Sequence, residues 1–284
     1  MDPDFRRDER NLKVPDLSAY FARIGYTGPV TPTLEALRAI HALHPAHITF
    51  ENVDVLLGRG ISLEPDAVWA KLITAGRGGY CYEQNGLLKR VLTAMGFTVE
   101  GLIARVRWQA PPGAPDRPRS HMALRVIIDG KPWLADVGFG GCVLTAPIRL
   151  ETGIVQATPH GNVRLSDEHG EYLMEAELEG VWTPLYVLSP HAQNDVDYQL
   201  ANWWTSTHPT SRFIQHLSVA RTTPKARYAL LDNRLTVRHA DGRVERHDLR
   251  PGELTEALEV VFKLPVDPTW KPVIERAAAA SVPA

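Results

Sequence analysis

Only two of the 284 residues are cysteines, Cys81 and Cys142, too few to staple a fold. With no CxxC pair and no HExxH, a zinc ion has little to hold it, and no metal is expected. No apolar run reaches the roughly 18 residues needed to cross a bilayer. Charge of one sign is also missing: 31 Lys and Arg stand against 33 Asp and Glu, a formal net charge of −2. Without a basic patch there is no footprint for nucleic acid. The opening MDPDFRRDERNLKVP lacks an apolar core and so does not read as a signal peptide. These absences point to a cytoplasmic protein, bound neither to membrane nor to nucleic acid, whose two thiols stay free in a reducing compartment.

Up to residue 97 the chain has a helical period. PDLSAYFARIGY offers Asp16 as an N-cap and Leu17, Tyr20, Phe21 and Ile24 as an apolar stripe. TPTLEALRAIHAL places Pro32 at a first helical position. EPDAVWAKLITAG predicts a short helix closed by Gly76, and CYEQNGLLKRVLTAMG a longer one ending near Gly96, weakened by about 1 kcal/mol at Gly86. From Phe97 the period becomes two. FTVEGLIARVRW, HMALRVII and PWLADVGF read as strands, the first two joined by a loop holding Pro111, Pro112, Pro115 and Pro118. GEYLMEAELEG alternates, with Tyr172, Met174, Ala176 and Leu178 on one face and Glu175, Glu177 and Glu179 on the other. Residues 98 to about 205 therefore predict an antiparallel meander closing into a barrel. After it come four short strands (HLSVAR, RYALL, RLTVRH, VERHDL) and an amphipathic helix, ELTEALEVVFKL, with Leu254, Leu258, Val261 and Phe262 inward. The AAAASVPA tail is expected to fray. The class is α+β.

The stretch RGGYCYEQN, Arg77 to Asn85, singles out Cys81. Gly78 and Gly79 permit a close approach that side chains would block. At a helix start the sulfur lies near unpaired N–H groups and the positive end of the dipole, which favour thiolate. A lone cysteine is also commonly a buried structural one, and this stretch alone leaves both open. A nucleophile needs a base, and the base an orienting group. In SHMALRVIIDGKPWLADVGFGG, Asp129-Gly130 predicts a two-residue hairpin turn. That register sets Ile128 opposite Lys131 and His121 opposite Gly138. Asp136 then shares a face with His121 as a diagonal neighbour, about 7–8 Å away at the backbone. A carboxylate there can fix the imidazole tautomer. The other reading is a surface His–Asp pair, against which stands the apolar company of Trp133, Leu134, Val137 and Phe139.

Taken together, RGGYCYEQN, SHMALRV, LADVGFGG, ITFENVDVLLGR and NWWTSTHPTSRF resemble the arylamine N-acetyltransferases, from about Tyr20 to the C-terminal helix. The resemblance implies three domains: a helical bundle over 1–97 carrying the cysteine, a β-barrel over 98–205 carrying the histidine and aspartate, and an α/β lid over 206–284. It implies a papain-like Cys-His-Asp core on Cys81, His121 and Asp136. The implied reaction passes acetyl from acetyl-CoA, a co-substrate, through Cys81 to an arylamine, arylhydrazine or arylhydroxylamine. The Cys81 backbone N–H is a candidate oxyanion donor. Phe50, Val106, Phe139 and Phe213 match an apolar pocket wall for a flat amine, although core packing would use the same residue types. Ser120, Gly138, Gly140 and Gly141 match positions near the CoA pantetheine. Ser120 departs from the family's usual threonine, and TFEN from its usual PFEN. Arg23, Glu51 and Arg77 match a structural charge cluster. The implied partners are a small aromatic amine or hydrazine and a CoA thioester, with a homodimer a possible assembly. A cysteine hydrolase with the same triad, or a related amide synthase closing a macrolactam, remain alternatives.

Overall fold

The computed structural model describes residues 16–111 and 113–280; the readings of the first fifteen residues, of Pro112 and of the last four lie outside them. Helix α1 (Leu17–Ile24) starts where expected, because the Asp16 carboxylate accepts from the backbone of Ser18 at 3.0 Å and of Ala19 at 3.3 Å. Helix α2 (Leu34–His47) starts two residues later than the proline suggested. The Thr33 hydroxyl caps it, accepting from Ala36 N at 3.2 Å, so Pro32 precedes the cap instead of opening the helix. A two-residue strand β1 (Phe50–Glu51) and a short α3 (Val53–Leu56) follow. Helix α4 (Pro65–Trp69) runs into a π turn over Ala70–Thr74. The helix α5 (Cys81–Ala94) ends at Gly96, whose φ of +91° a side chain would disfavour.

Eight strands make the second part: β2 (Thr98–Val106), β3 (Arg119–Ile128), β4 (Lys131–Ala135), β5 (Ile148–Arg149), β6 (Val155–Thr158), β7 (Gly161–Glu168), β8 (Glu171–Leu178) and β9 (Val181–Leu188). They form one antiparallel sheet in the order β5-β4-β3-β2-β9-β8-β7-β6. The sheet curls into a nearly closed barrel. At the seam its two edges meet through a side chain: the Gln156 amide accepts from Arg149 N at 2.7 Å and donates to Arg149 O at 2.9 Å. The hairpin register places Ile128 opposite Lys131, as read from the sequence, but β4 stops at Ala135 and does not run on to Phe139. On β8 the alternation holds at Met174, Glu175 and Ala176, but Glu175 is only 6% exposed. It keeps the outward face, opposite Arg164 on β7 while Met174 and Ala176 point to the core, and is covered there by Arg164 and Ser166, which satisfy its carboxylate.

The barrel ends at Leu188, short of the expected 205, because Asp195–Thr207 is a helix, α6. Its buried face carries Tyr198, Asn202, Thr205 and Ser206, while Val196, Leu200 and Trp203 are exposed. A hydrophobic period cannot reveal a helix that buries its polar side.

The third part holds α7 (Arg212–Gln215), the four expected strands β10 (Ser218–Thr222), β11 (Ala226–Leu231), β12 (Arg234–His239) and β13 (Val244–Asp248), then α8 (Pro251–Glu256) and α9 (Lys271–Ala278). A π turn over Ala257–Val261 extends α8, and Leu254, Leu258 and Phe262 are buried with Trp270. The sheet order is β1-β10-β11-β12-β13. β1 therefore edges the last sheet although it comes from the helical part, with Phe50 opposite Ala220. We propose the division at 97 and 205 as the domain plan, with α6 and β1 tying neighbouring parts together.

Candidate active site

The sequence brings Cys81 to the first position of α5 by a tight entry. Gly79 N donates to Thr49 O at 3.2 Å and Glu51 N donates to Gly79 O at 3.1 Å, which lays β1 against the chain just before the cysteine. A side chain at Gly78 would overlap the Thr49 carbonyl, and one at Gly79 would come within 2.6 Å of the Glu83 carboxylate. The close approach that the two glycines permit is thus that of the protein itself, Thr49 at Gly78 and Glu83 at Gly79. Behind them Gln84 works as a hub. The Tyr20 hydroxyl donates to His44 Nδ1 at 2.8 Å, so His44 Nε2 carries the proton and donates to Gln84 Oε1 at 2.7 Å. The Gln84 amide then donates to the carbonyls of Thr49 and Gly79 at 2.9 and 3.1 Å.

Cys81 is 3% exposed, so the sulfur is buried. Its thiol points to Ser120 O at 3.7 Å and contacts the His121 imidazole. In the first turn of a helix its backbone N–H has no intrahelical acceptor. His121, also buried, projects from β3, and its Nε2 lies 2.7 Å from Asp136 Oδ2. With Nε2 donating to the carboxylate, Nδ1 is left for the sulfur. The other carboxylate oxygen, Oδ1, accepts from Asn85 Nδ2 and from Gly138 N, each at 2.9 Å.

Expected register would pair His121 with Gly138, but the last ladder pair of β3 and β4 is Leu124 with Ala135. Beyond it the strand leaves the sheet and is held from the helices: Val137 N donates to Asn85 Oδ1 at 3.0 Å, and Asn85 Nδ2 to Met122 O at 2.7 Å. The His–Asp contact forms despite the lost pairing. Burial works against a charged His121, yet the Asp136 charge and hydrogen bond, helped by Cys81, push its pKa up to about 10. For Asp136 burial also opposes charge, and His121, Asn85 and Gly138 overcome it, holding the carboxyl below its ordinary range.

Aromatic rings close over this group. Phe139 and Tyr186 each lie with ring centres 5.0 Å from His121, and 5.0 Å from each other. Phe50 and Phe213 meet at 6.0 Å, and Phe213 meets Tyr80 at 5.8 Å. Tyr186 escaped the sequence reading, where it is one apolar position in a strand; only the β2–β9 pairing brings it to the site. Val106, opposite Tyr186 on β2, lines a recess of about 200 Å³ with Arg107, Pro111 and Arg117. None of Cys81, His121 and Asp136 lines that recess. Ser120 offers its carbonyl to the thiol. The glycines matched to the pantetheine have packing tasks of their own: a Cβ on Gly138 would approach Cys81 Cα to 2.8 Å, and one on Gly141 the Ala229 Cβ to 2.7 Å. Gly140 has φ +73° and faces the Phe50 ring.

The charge cluster is real but differently composed. Arg77 pairs with Glu51 at 2.6 Å and Asp54 at 2.9 Å, and Lys71 with Asp54 at 2.9 Å and Glu83 at 2.8 Å. The Arg77 guanidinium lies over the Trp270 ring at 4.8 Å. Arg23 is not a member; it donates to the carbonyls of Leu72, His47 and Gly76 instead. Lys71, Asp54 and Glu83 sit in ordinary helical positions, so nothing in the sequence marked them.

A thiol at a helix start, an imidazole beside it and a carboxylate fixing that imidazole are the parts that a nucleophilic cysteine needs. Comparison with known proteins is specific about the kind. A family model described as N-acetyltransferase matches residues 33–270. The arylamine N-acetyltransferase of Mycobacterium tuberculosis is 42% identical over 230 residues, 80% of this chain and 81% of that one. Its solved structure superposes with a TM-score of 0.88 at 38% identity, covering 93% of this chain and 100% of that one. The arylamine N-acetyltransferase of Mycobacterium marinum, solved in complex with CoA, superposes at 0.86 with 37% identity, covering 93% and 97%. The chain belongs to the arylamine N-acetyltransferase family of acyltransferases.

Proposed function

We propose that this protein transfers acetyl from acetyl-CoA to small aromatic amines, hydrazines and hydroxylamines in two steps, through an acetyl-thioester on Cys81. The observation that carries the reading is the 2.7 Å contact between His121 Nε2 and Asp136 Oδ2, with the Cys81 thiol beside the same ring. In the first step the Cys81 thiolate attacks the acetyl carbon, a new C–S bond forms, and the old one to CoA breaks. The departing CoA sulfur takes the proton that His121 holds. In the second step the amine attacks the acetyl-cysteine, His121 accepts its proton as general base, and the thiolate returns. Asp136 keeps the ring oriented throughout. The Cys81 N–H serves the tetrahedral oxyanion.

Phe50, Phe139 and Phe213 form the wall against which a flat acceptor lies. We keep Val106 as part of that wall on the family resemblance, and Ser120, Gly138, Gly140 and Gly141 as the pantetheine track. The mycobacterial relative solved with CoA supports a CoA thioester as donor. Among the described residues no helix is long and apolar enough to cross a membrane. A site that depends on a free thiol suits the reducing cytoplasm.

The test is CoA release, measured with acetyl-CoA in the presence and absence of an aromatic amine. Continued release only with amine is the expected result. Release beyond one equivalent without amine identifies a hydrolase instead.

A further inference from the structure

His41 stands beside the carboxylate of the triad, and no step of the proposed chemistry uses it. It lies on α2, fully buried, with its Nε2 3.1 Å from the backbone nitrogen of Asp136. That N–H is a donor, so Nε2 is the accepting, unprotonated nitrogen. The ring's single proton then sits on Nδ1, which has no hydrogen-bond partner among the described residues. Burial keeps the ring neutral, holding its pKa down to about 4 against the pull of the Asp136 carboxylate and backbone. A buried polar group left half satisfied asks for a reason, since an apolar side chain would avoid that cost.

The reason lies in how the chain leaves the sheet. After Ala135 no ladder bond of β3 and β4 fixes the backbone. His41 takes the Asp136 N–H, and Asn85 takes the Val137 N–H. The carboxylate stands only two bonds from the Asp136 Cα, so its direction follows that backbone. We infer that His41 is a positioning residue: by accepting the Asp136 N–H it keeps Oδ2 on His121 Nε2, and so tunes the imidazole that faces Cys81. The inference rests on the reading of Asp136 as the orienting group.

The experiment is the pH dependence of Cys81 alkylation by iodoacetamide, followed by mass on the Cys81 peptide. It needs no acetyl-CoA, so it reads the triad even if acetyl transfer were the wrong reaction. His41→Leu removes the acceptor; His41→Gln supplies an amide oxygen in its place. His41→Leu should slow alkylation near pH 6 about tenfold and raise its acid limb by about one pH unit, the equivalent of tenfold. His41→Gln should recover most of both. In an Asp136→Asn background His41→Leu should have no further effect on the limb, since the two act through one contact. If His41→Leu does not fold, His41→Met replaces it. A lower melting temperature with the acid limb unmoved, or losses that simply add in the double variant, would overturn the inference.

Discussion

At the scale of single residues, the proposed chemistry turns on the His121–Asp136 pair. Replacing Asp136 by Asn keeps the shape but presents an amide where the imidazole needs an acceptor for its Nε2 proton. Turnover should fall by about 10³–10⁴, as in other triads that lose this contact, while circular dichroism stays unchanged. Near-full activity would remove Asp136 from its role. The same pair predicts a pH window for stability. His121 has a raised pKa, so its contribution is complete below its unfolded value near 6.5 and is lost as pH climbs toward about 10. Asp136 has a lowered pKa, so its contribution is present above its unfolded value near 3.8 and is lost as pH falls. The melting temperature of the wild type should exceed that of Asp136→Asn most between those two values. A difference that does not change with pH would mean that the pair is not ionised in the folded protein.

At the scale of elements, the entry to α5 carries the strongest constraint. Gly78 leaves no room for a Cβ against the Thr49 carbonyl, and backbone cannot move aside as a flexible side chain can. Gly78→Ala should therefore destabilise by about 1–3 kcal/mol, the usual range for overpacking, and should displace Cys81. Thermal melting and alkylation rate together check this; an unchanged melting temperature would contradict it. The sequence showed the glycines and the cysteine but not what fills the space, because Thr49 comes from the segment just before β1, far back in the chain. It showed the β3–β4 hairpin through Asp129-Gly130 and the alternation around it, which pointed to the His121–Asp136 contact although the pairing it assumed at His121 is not formed. It hid the end of β4, since the forces that stop the strand are side chains from α2 and α5. It hid α6 as well, whose apolar residues face outward. The strands from β10 to β13 were legible because each alternates between clear turns, and the burial of Glu175 was not, because the side chains that cover it come from β7.

Across the whole molecule, the site exists only where all three parts meet. α5 brings the thiol, β3 and the turn after β4 bring the imidazole and carboxylate, and α7 brings Phe213 against Phe50 of β1. Such a junction separates two kinds of damage. Phe139→Ala or Phe50→Ala should alter the ranking of aromatic acceptors more than the rate at which acetyl loads. Equal loss in both half-reactions would indicate a packing defect instead. What the sequence could not show is this meeting of distant segments, apart from what the family motifs implied; Tyr186 and His41 have no local signature and appear only when strands and helices are assembled.

The most direct measurement of the central claim is the mass of the protein after mixing with acetyl-CoA alone. A single acetyl group should appear on the peptide containing Cys81, should leave when an arylamine is added, and should be absent from Cys81→Ser. Cys142, buried and with its thiol pKa pushed up by that burial despite Arg227 and Arg238 nearby, should stay unmodified. Acetyl on any other residue, or loading that survives in Cys81→Ser, would contradict the assignment.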